Sequence, residues 1–340
     1  PEKGTAANSP EMGRASAPSK PNPSTARLTQ FKKWHEDWNT EKWKTEAEYA
    51  EHLRKLVEQG AELRQIFLKD AGAFLAFAKD PENASCLSSL FSAALHQWVF
   101  QSNGQWAMTG RAFTDEDVPS LLTEGLLAIL AQGTETQKLA LMSFGGAFEK
   151  APEQLLTEYR RYLDDPSGQV LQTATYALRR ARSVTSEDLE VMKRNAELSP
   201  DVGVRSESFK AVASARTPEA LDWFFTQLLS RPDARTTGLI AAAIREEIYM
   251  NNPFPKEVEP RAAEAIVSAL ARGTDDYAHG SFVYAGLCLS SDHAGKVLEA
   301  AVLHAPTDAL RRAAERILDS FRNGERNASR LWSEYYKSKK

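Results

Sequence analysis

The sequence predicts an all-α protein, in which antiparallel pairs of helices stack side by side into an elongated array. First, apolar residues recur four, seven and eight positions after an anchor residue, which is the spacing of one buried helix face. Second, this pattern returns at near-regular steps of 31, 34, 32, 43 and 31 residues, counted from Leu139. Third, strand signals are nearly absent. Repetition at this period predicts a solenoid, because a single helix pair cannot bury its whole apolar face.

The second helix of each predicted pair carries the anchor. The clearest copy starts at Val170 and continues with Ala174, Ala177 and Leu178. The other anchors are Leu87, Leu139, Val204, Thr236, His279 and Leu310. A small residue stands seven positions after most anchors, where we expect the neighbouring repeat to approach closely. These small residues are Gly146, Ala177, Ala211, Ala243 and Gly286.

A first helix is predicted ahead of each anchor except the earliest. The predicted ranges are 119–131, 152–163, 187–198, 218–229, 260–271 and 293–304. Proline opens four of these helices, at a position where its missing N–H costs nothing. Thr217 precedes Pro218 and Glu219, which predicts an N-cap followed by an acid that the helix dipole favours.

This paired-helix pattern resembles the HEAT-repeat family of α-solenoids, whose architecture is armadillo-like. The resemblance rests on the anchors and on an aspartate and an arginine near two of them, Asp201 with Arg205 and Asp308 with Arg311. It covers roughly residues 60–320. It implies a right-handed α-α superhelix, in which the second helices line a concave groove and extended surfaces bind other proteins.

The chain is expected to contain four segments and two insertions. Residues 1–27 are rich in Pro, Ala, Ser, Gly and Asn, which predicts a flexible, disordered N-terminal tether. The further segments are an N-terminal helical cap at 28–60, the repeat array at 61–322, and a C-terminal cap and tail at 323–340. Insertions are expected near 96–117 and 249–260. Asn103-Gly104 in the first insertion predicts a two-residue hairpin turn.

Aromatic residues cluster near both ends of the chain. Trp34 and Trp38 are four residues apart and share a helix face, and Trp43 follows them. We interpret them as a cap over the exposed edge of the array, with an aromatic docking patch as the alternative. The residues expected to cap the other end are Leu331, Trp332, Tyr335 and Tyr336.

The chain shows no catalytic, cofactor-binding or metal-ligating set, so we predict a non-enzymatic protein without a cofactor. Its six histidines are scattered and lack zinc-type partners, and a Gly-x-Ser-x-Gly motif is absent. Cys86 and Cys288 each lie in an apolar helical run and are expected to be buried free thiols. The pair Glu246-Glu247 is interpreted as part of a solvated face.

A protein or peptide partner, with an acidic one favoured, is predicted on the outward face of the second helices or on the inserted loops. The residues expected to bind it are Tyr176, Arg179, Arg205, Lys210, Arg245, Arg311 and Arg312. A basic groove on a chain of formal net charge −4 would attract an acidic segment. The alternative is that acids such as Glu207 neutralise these residues in i,i+3 or i,i+4 pairs.

The net charge and a pI near 6.0 argue against nucleic acid as a partner. The basic residues and tryptophans nevertheless keep one alternative function open, a nucleic-acid-acting protein resembling the HEAT-like DNA glycosylases. No run of about 18 apolar residues occurs, so no transmembrane helix is predicted. The chain begins at Pro1, and an upstream segment is expected, with a signal peptide or an anchor among the alternatives. Together with the tether, this favours the cell envelope, the periplasm or secretion over the cytoplasm.

Overall fold

A computed structural model gives the structure of the protein, and it describes residues 22–40, 45–100, 106–111, 120–143, 151–230, 232–248 and 254–338. Within these ranges the chain is helical apart from turns and one pair of short strands, which confirms the predicted all-α class. No helix in the same ranges is long and apolar enough to cross a membrane. Most of the predicted tether lies outside the described residues, as do Trp43, Gly146 and Asn103-Gly104.

The structure gives the bounds of each element. In the first half of the chain the helices are α1 (Pro23–Thr40), α2 (Glu46–Lys69), α3 (Ala71–Lys79), α4 (Ala84–Leu95), α5 (Ser120–Gln132), α6 (Glu135–Met142), α7 (Glu153–Arg160) and α8 (Gly168–Arg180). They are followed by α9 (Ser186–Leu198), α10 (Val202–Ala215), α11 (Pro218–Leu229), α12 (Ala234–Glu247), α13 (Glu259–Ala271), α14 (Asp276–Gly286), α15 (Ser291–Leu303), α16 (Asp308–Arg322) and α17 (Ala328–Ser338). The strands are β1 (His96–Phe100) and β2 (Trp106–Arg111).

The helices form two layers, in which a helix packs against the helix two places further along the chain. The even-numbered layer runs from α2 through α4, α6, α8, α10 and α12 to α14. The odd-numbered layer runs from α1 through α3 and α5 to α7, and again from α11 through α13 to α15. Consecutive helices such as α9 and α10 join the two layers. This repeated packing of neighbour on neighbour is solenoid-like.

The anchor pattern marks the buried face of the even-numbered helices. All four positions are buried in α8, where Val170 is the most exposed at 4%, and the same four positions are buried in α10, α12, α14 and α16. The copy at Leu139 fits less well, because α6 ends at Met142 and Leu139 is only half-buried, while Gly146 and Ala147 lie outside the described residues. Ser143, at position four, is an exposed C-cap whose hydroxyl donates to the Ala140 carbonyl.

Small residues do stand at the seams between helices. Ala177, Ala211 and Ala243 are fully buried. A Cβ added to Gly286 of α14 would overlap the side chain of Val297 on α15. Glycine at this position therefore sets how closely α14 and α15 approach.

The N-terminal boundaries differ from the predicted ones. The first helix begins at Pro23, inside the segment 1–27 that is predicted as a tether, because Asn22 caps it by accepting from the Ser24 N–H at 2.9 Å. The second helix continues through residue 60, the predicted end of the cap, to Lys69. Since α2 packs against α4 as the later even-numbered helices pack on each other, the cap and the array share one pattern.

The C-terminal helix α17 packs on α16. Leu331 and Tyr335 are buried, and the Trp332 ring stacks on that of Tyr335 at 5.3 Å between centroids. His279 of α14 bonds the Tyr335 hydroxyl through Nδ1 and the Ala301 carbonyl through Nε2, both at 2.9 Å. These contacts tie α17 to α14 and α15. At the other end, Trp34 is half-buried against the core.

The insertions differ in form. In the first, β1 and β2 pair antiparallel with Phe100 opposite Trp106. The predicted turn at Asn103-Gly104 lies between these strands, outside the described residues. In the second, α12 ends at Glu247 and α13 begins at Glu259, and Phe254 between them is buried in the core.

Candidate functional site

A network of ion pairs crosses α8, α10 and α12 of the even-numbered layer. Arg179 of α8 donates from Nη2 to Glu207 of α10 at 2.9 Å and from Nη1 to Glu247 of α12. The Lys210 ammonium reaches Glu207 at 3.1 Å and Glu246 at 2.8 Å. Arg179 and Glu247 are both buried, with side chains 4% and 11% exposed, so both charges have left bulk water.

Burial and pairing shift the pKa values of this network in ways that depend on which effect is larger. For Arg179, burial disfavours the charge, but the attraction of Glu207 and Glu247 outweighs it and raises the pKa. For Lys210, the carboxylates likewise outweigh burial and raise the pKa. For Glu247, burial is the largest effect and raises the pKa, although Arg179 opposes it. Glu247 is therefore the carboxylate whose ionised form depends most on its partner.

The binding residues predicted on this layer form contacts between helices instead. Arg179, predicted on the outward face, is buried, because that side of α8 lies where α10 and α12 supply carboxylates. Its guanidinium lies over the half-buried Tyr176 ring at 5.3 Å. Arg205 donates to the Ala196 carbonyl at 3.0 Å and to the Thr236 hydroxyl at 2.6 Å, so it ties α10 to α9 and α12.

The remaining predicted residues lie elsewhere. Lys210 forms the predicted i,i+3 pair with Glu207. Arg245 lies over the Trp332 ring at 4.5 Å. Arg311 and Arg312 are exposed on α16, outside the network, and Arg311 pairs with Asp308 in its own helix. The interpretation of Glu246-Glu247 as a solvated pair is wrong for Glu247, which is buried, whereas Glu246 is half-exposed.

A cavity of about 500 Å³ lies where α8 and α10 end and α9 and α11 begin. Of the residues that the structure describes, four arginines line it against one glutamate: Arg179, Arg180, Arg182, Arg216 and Glu247. Within this lining, Arg179 pairs with Glu247. The volume falls in the range of about 300–1,000 Å³ that is typical of small-ligand sites. We call this space the arginine cavity.

Two of its arginines have a left-handed backbone. Arg182 has φ of 54° and Arg216 has φ of 53°, and within the described ranges they are the only residues other than glycine with positive φ. Two other helices, α13 and α16, are followed by left-handed residues, and there the residue is Gly273 or Gly324. The left-handed conformation costs a residue with a Cβ about 1–2 kcal/mol, and glycine is its usual occupant at a helix end. Within the described ranges, the residues with a Cβ that adopt this conformation are therefore the two arginines that line the cavity.

The turn that carries Arg182 is held from both sides. The Arg182 N–H donates to the Arg179 carbonyl, and the Ser183 N–H donates to the Leu178 carbonyl, both at 3.1 Å, which is the Schellman pattern. Arg160 of α7 donates to the Ser183 carbonyl at 2.8 Å. Arg182 is therefore an exposed residue whose backbone is fixed by these hydrogen bonds.

The same cavity is lined by the starts of two helices. Thr185 caps α9 and Thr217 caps α11, as predicted for Thr217, and each accepts a hydrogen bond from a backbone N–H at 3.2 Å. Both helices have at least 12 residues, so the positive ends of their dipoles add to the arginine charge. On the wall, Arg216 lies over the Phe254 ring at 5.6 Å, and burial lowers its pKa. The arginine charges and the two helix dipoles favour an anion in the cavity.

The lining can be described by the kinds of side chain that it contains. It has hydroxyls and guanidiniums but neither histidine nor cysteine among the described residues. No group of three or more His, Cys, Asp or Glu side chains in the described ranges is placed to hold a metal ion. Cys86 and Cys288 are buried free thiols, as predicted, and burial raises their pKa values to about 11 and about 12.

Arg180, Arg182 and Arg216 are not among the binding residues predicted from the sequence. Ala181-Arg182 and Ala215-Arg216 carry no local signal, because arginine at a helix end does not indicate a left-handed turn. No protein-family model matches the sequence, and no curated protein is significantly similar to it.

Proposed function

We propose that this chain is a non-enzymatic scaffold that binds an acidic segment of another protein at the arginine cavity. The observation that carries the proposal is the cavity itself, in which four arginines face one glutamate on a chain of net charge −4. A locally positive site on an acidic protein favours an acidic partner and disfavours non-specific partners. The solenoid-like layers support the proposal because such arrays act mainly through extended surfaces. A HEAT-like identity remains part of the same proposal.

The proposed surface differs from the groove expected along the outward helix faces. Arg179 and Lys210 are neutralised by Glu207, Glu246 and Glu247, so they contribute little net charge to a partner. The proposed surface instead includes three arginines at the ends of α8 and α10, which are Arg180, Arg182 and Arg216.

A display library of random peptides, selected on the immobilised full chain, tests this function. We expect enrichment of peptides with two or more acids, and loss of their binding when Arg180 and Arg182 are both changed to Glu. The control Arg161→Glu/Arg322→Glu makes the same charge change at two exposed arginines. Arg161 lies just after α7 and Arg322 lies on α16, so this variant should leave binding intact. A selection that enriches no peptide, or peptides indifferent to the cavity variant, would refute the proposal. Retention of duplex DNA at low salt, with no peptide bound, would instead favour the nucleic-acid alternative.

A further inference from the structure

We propose that the C-terminal helix α17 is a pH-sensitive latch, which is released from the end of the array when His279 of α14 takes up a proton. The proposal goes beyond the proposed function, because α17 does not line the arginine cavity. Three observations carry it, which are the hydrogen bonds of His279, the few side chains that α17 buries and the hinge that precedes α17.

The hydrogen bonds of His279 select the neutral form of its ring. His279 is fully buried, and its Nε2 lies 2.9 Å from the Ala301 carbonyl of α15. Since a carbonyl only accepts, Nε2 carries the hydrogen, and Nδ1 of the neutral ring accepts from the Tyr335 hydroxyl of α17 at 2.9 Å. Protonation would turn Nδ1 into a donor that faces this hydroxyl. Within the described ranges the buried Tyr335 hydroxyl has no other hydrogen-bond partner, so its own hydrogen would be left unsatisfied.

The groups around His279 act on its charge in both directions. Burial is the largest effect and lowers the pKa of His279, whereas the Ala301 carbonyl and Asp276, in the first turn of α14, raise it. Arg245 of α12 lowers the pKa of Tyr335, but burial and Asp276 raise it, so the hydroxyl keeps its hydrogen near neutral pH. Among the described residues, α13 and α15 add no charge that shifts the pKa of His279. The docked α17 therefore favours the neutral ring.

The helix α17 is attached by few buried side chains. Its buried residues are Leu331 and Tyr335. The preceding helix α16 buries five side chains, Leu310, Ala313, Ala314, Ile317 and Leu318. The Trp332 ring adds to the attachment, because it lies over the Arg245 guanidinium at 4.5 Å and packs edge-on against Tyr284 at 5.2 Å. A segment that buries so little opens at a lower free-energy cost than the rest of the array, so the loss of one hydrogen bond matters.

The segment 323–327 between α16 and α17 is suited to act as a hinge. Its residues are exposed, apart from the half-buried Glu325. Gly324 has φ of 97°, and glycine can leave this conformation for others without a steric penalty. Opening at this hinge uncovers Arg245 on α12 and Tyr284 on α14. Acidification therefore changes the charge and the aromatic surface at this end of the array.

The size of the pH effect follows from the linkage between opening and proton uptake. While α17 is docked the pKa of His279 is lowered, and it returns towards about 6.5 when α17 leaves. Well above pH 6.5 the ring is neutral in both states, and the latch has its full strength. Below pH 6.5 the open state binds the proton first, so opening becomes more favourable as the pH falls. Between pH 7.5 and 5.5, one such proton raises the opening equilibrium about five- to tenfold.

Hydrogen exchange of the full chain from pH 7.5 to 5.5, corrected for the intrinsic exchange rate, tests the latch. We expect the protection of residues 328–338 to fall by this factor, while the protection of α8–α12 stays nearly constant. His279→Gln should abolish the fall. The control His293→Gln makes the same change at a half-buried histidine of α15 and should keep it. Tyr335→Phe keeps the ring but removes the hydroxyl bond, so it should lower the protection of α17 at pH 7.5 about two- to tenfold.

A second measurement keeps the latch testable if His279→Gln leaves α17 unprotected at every pH. The ¹⁵N chemical shifts of His279 in the unchanged chain report its proton uptake directly. Uptake that coincides with the loss of α17 protection supports the latch, and uptake while α17 stays protected overturns it. Constant protection of α17 on acidification, or the same fall in His279→Gln, would also overturn it. Joint loss of protection in α17 and α8–α12 would show acid unfolding of the whole array instead of a latch.

Discussion

Removing the Arg179 charge should destabilise the protein far more than removing a surface charge. In Arg179→Met the side chain stays unbranched but becomes shorter and uncharged, and Glu247 loses the larger of the two arginine attractions that offset its burial. Glu207 keeps Lys210 at 3.1 Å, so most of the cost arises at Glu247. Breaking one side of a buried ion pair costs about 3–5 kcal/mol. The matched control is Arg322→Met, which breaks an exposed pair with Glu299 at 2.9 Å and should cost less than about 1 kcal/mol.

The assay is urea denaturation followed by circular dichroism, with hydrogen exchange of α8–α12 to detect local unfolding of the array. Two further results identify the cause. The double variant Arg179→Met/Glu247→Gln should recover most of the loss, because no unpaired carboxylate then remains at that position. The deficit should also shrink as the pH falls from 7 towards 5. The pKa of Glu247 is raised in the folded state, so protonation there favours folding over this window.

An unfolding cost of Arg179→Met no larger than that of Arg322→Met would contradict a buried ion pair at this position. The same conclusion would follow if Glu247→Gln gave no rescue, or if the deficit grew on acidification.

Three further predictions concern the packing of the array. His279 has a pKa lowered by burial, so the protein should lose stability as the pH falls below about 6.5, and His279→Gln should flatten that slope in denaturation measured from pH 7.5 to 5. Gly286→Ala should lower the melting temperature because its Cβ overlaps Val297, even though alanine is the better helix former. Adding Val297→Ala should restore the melting temperature, whereas a rise in the single variant would contradict the close approach of α14 and α15. Cys288, with its pKa raised to about 12, should react with a thiol reagent only at the rate of unfolding, and fast labelling of the native chain would show that it is accessible.

The stacking of helices could be predicted from the sequence because it depends on local spacing. The buried positions that start at Val170 follow from helix period alone, and Thr217 before Pro218 marks a helix start without reference to the rest of the chain. At Leu139 the pattern fails at position four, because an apolar spacing does not show that the helix ends at Met142 and leaves Ser143 exposed.

The site could not be predicted from local spacing, because it depends on what lies across each helix. The helical period puts Arg179 opposite the apolar stripe, but its burial depends on Glu247, which is 68 residues away in the sequence. Arg182 and Arg216 lie in different repeats and become neighbours only through packing. Their left-handed conformation is invisible in the sequence, where arginine favours no such turn.

The most direct test of where the partner binds is hydrogen exchange of the full chain with and without an acidic peptide obtained by display. If the peptide binds at the arginine cavity, we expect slower exchange at the amides of residues 179–189 and 214–220, which line the cavity or begin α9 and α11. Protection confined to the β1–β2 hairpin, or to the odd-numbered helices away from the cavity, would contradict it.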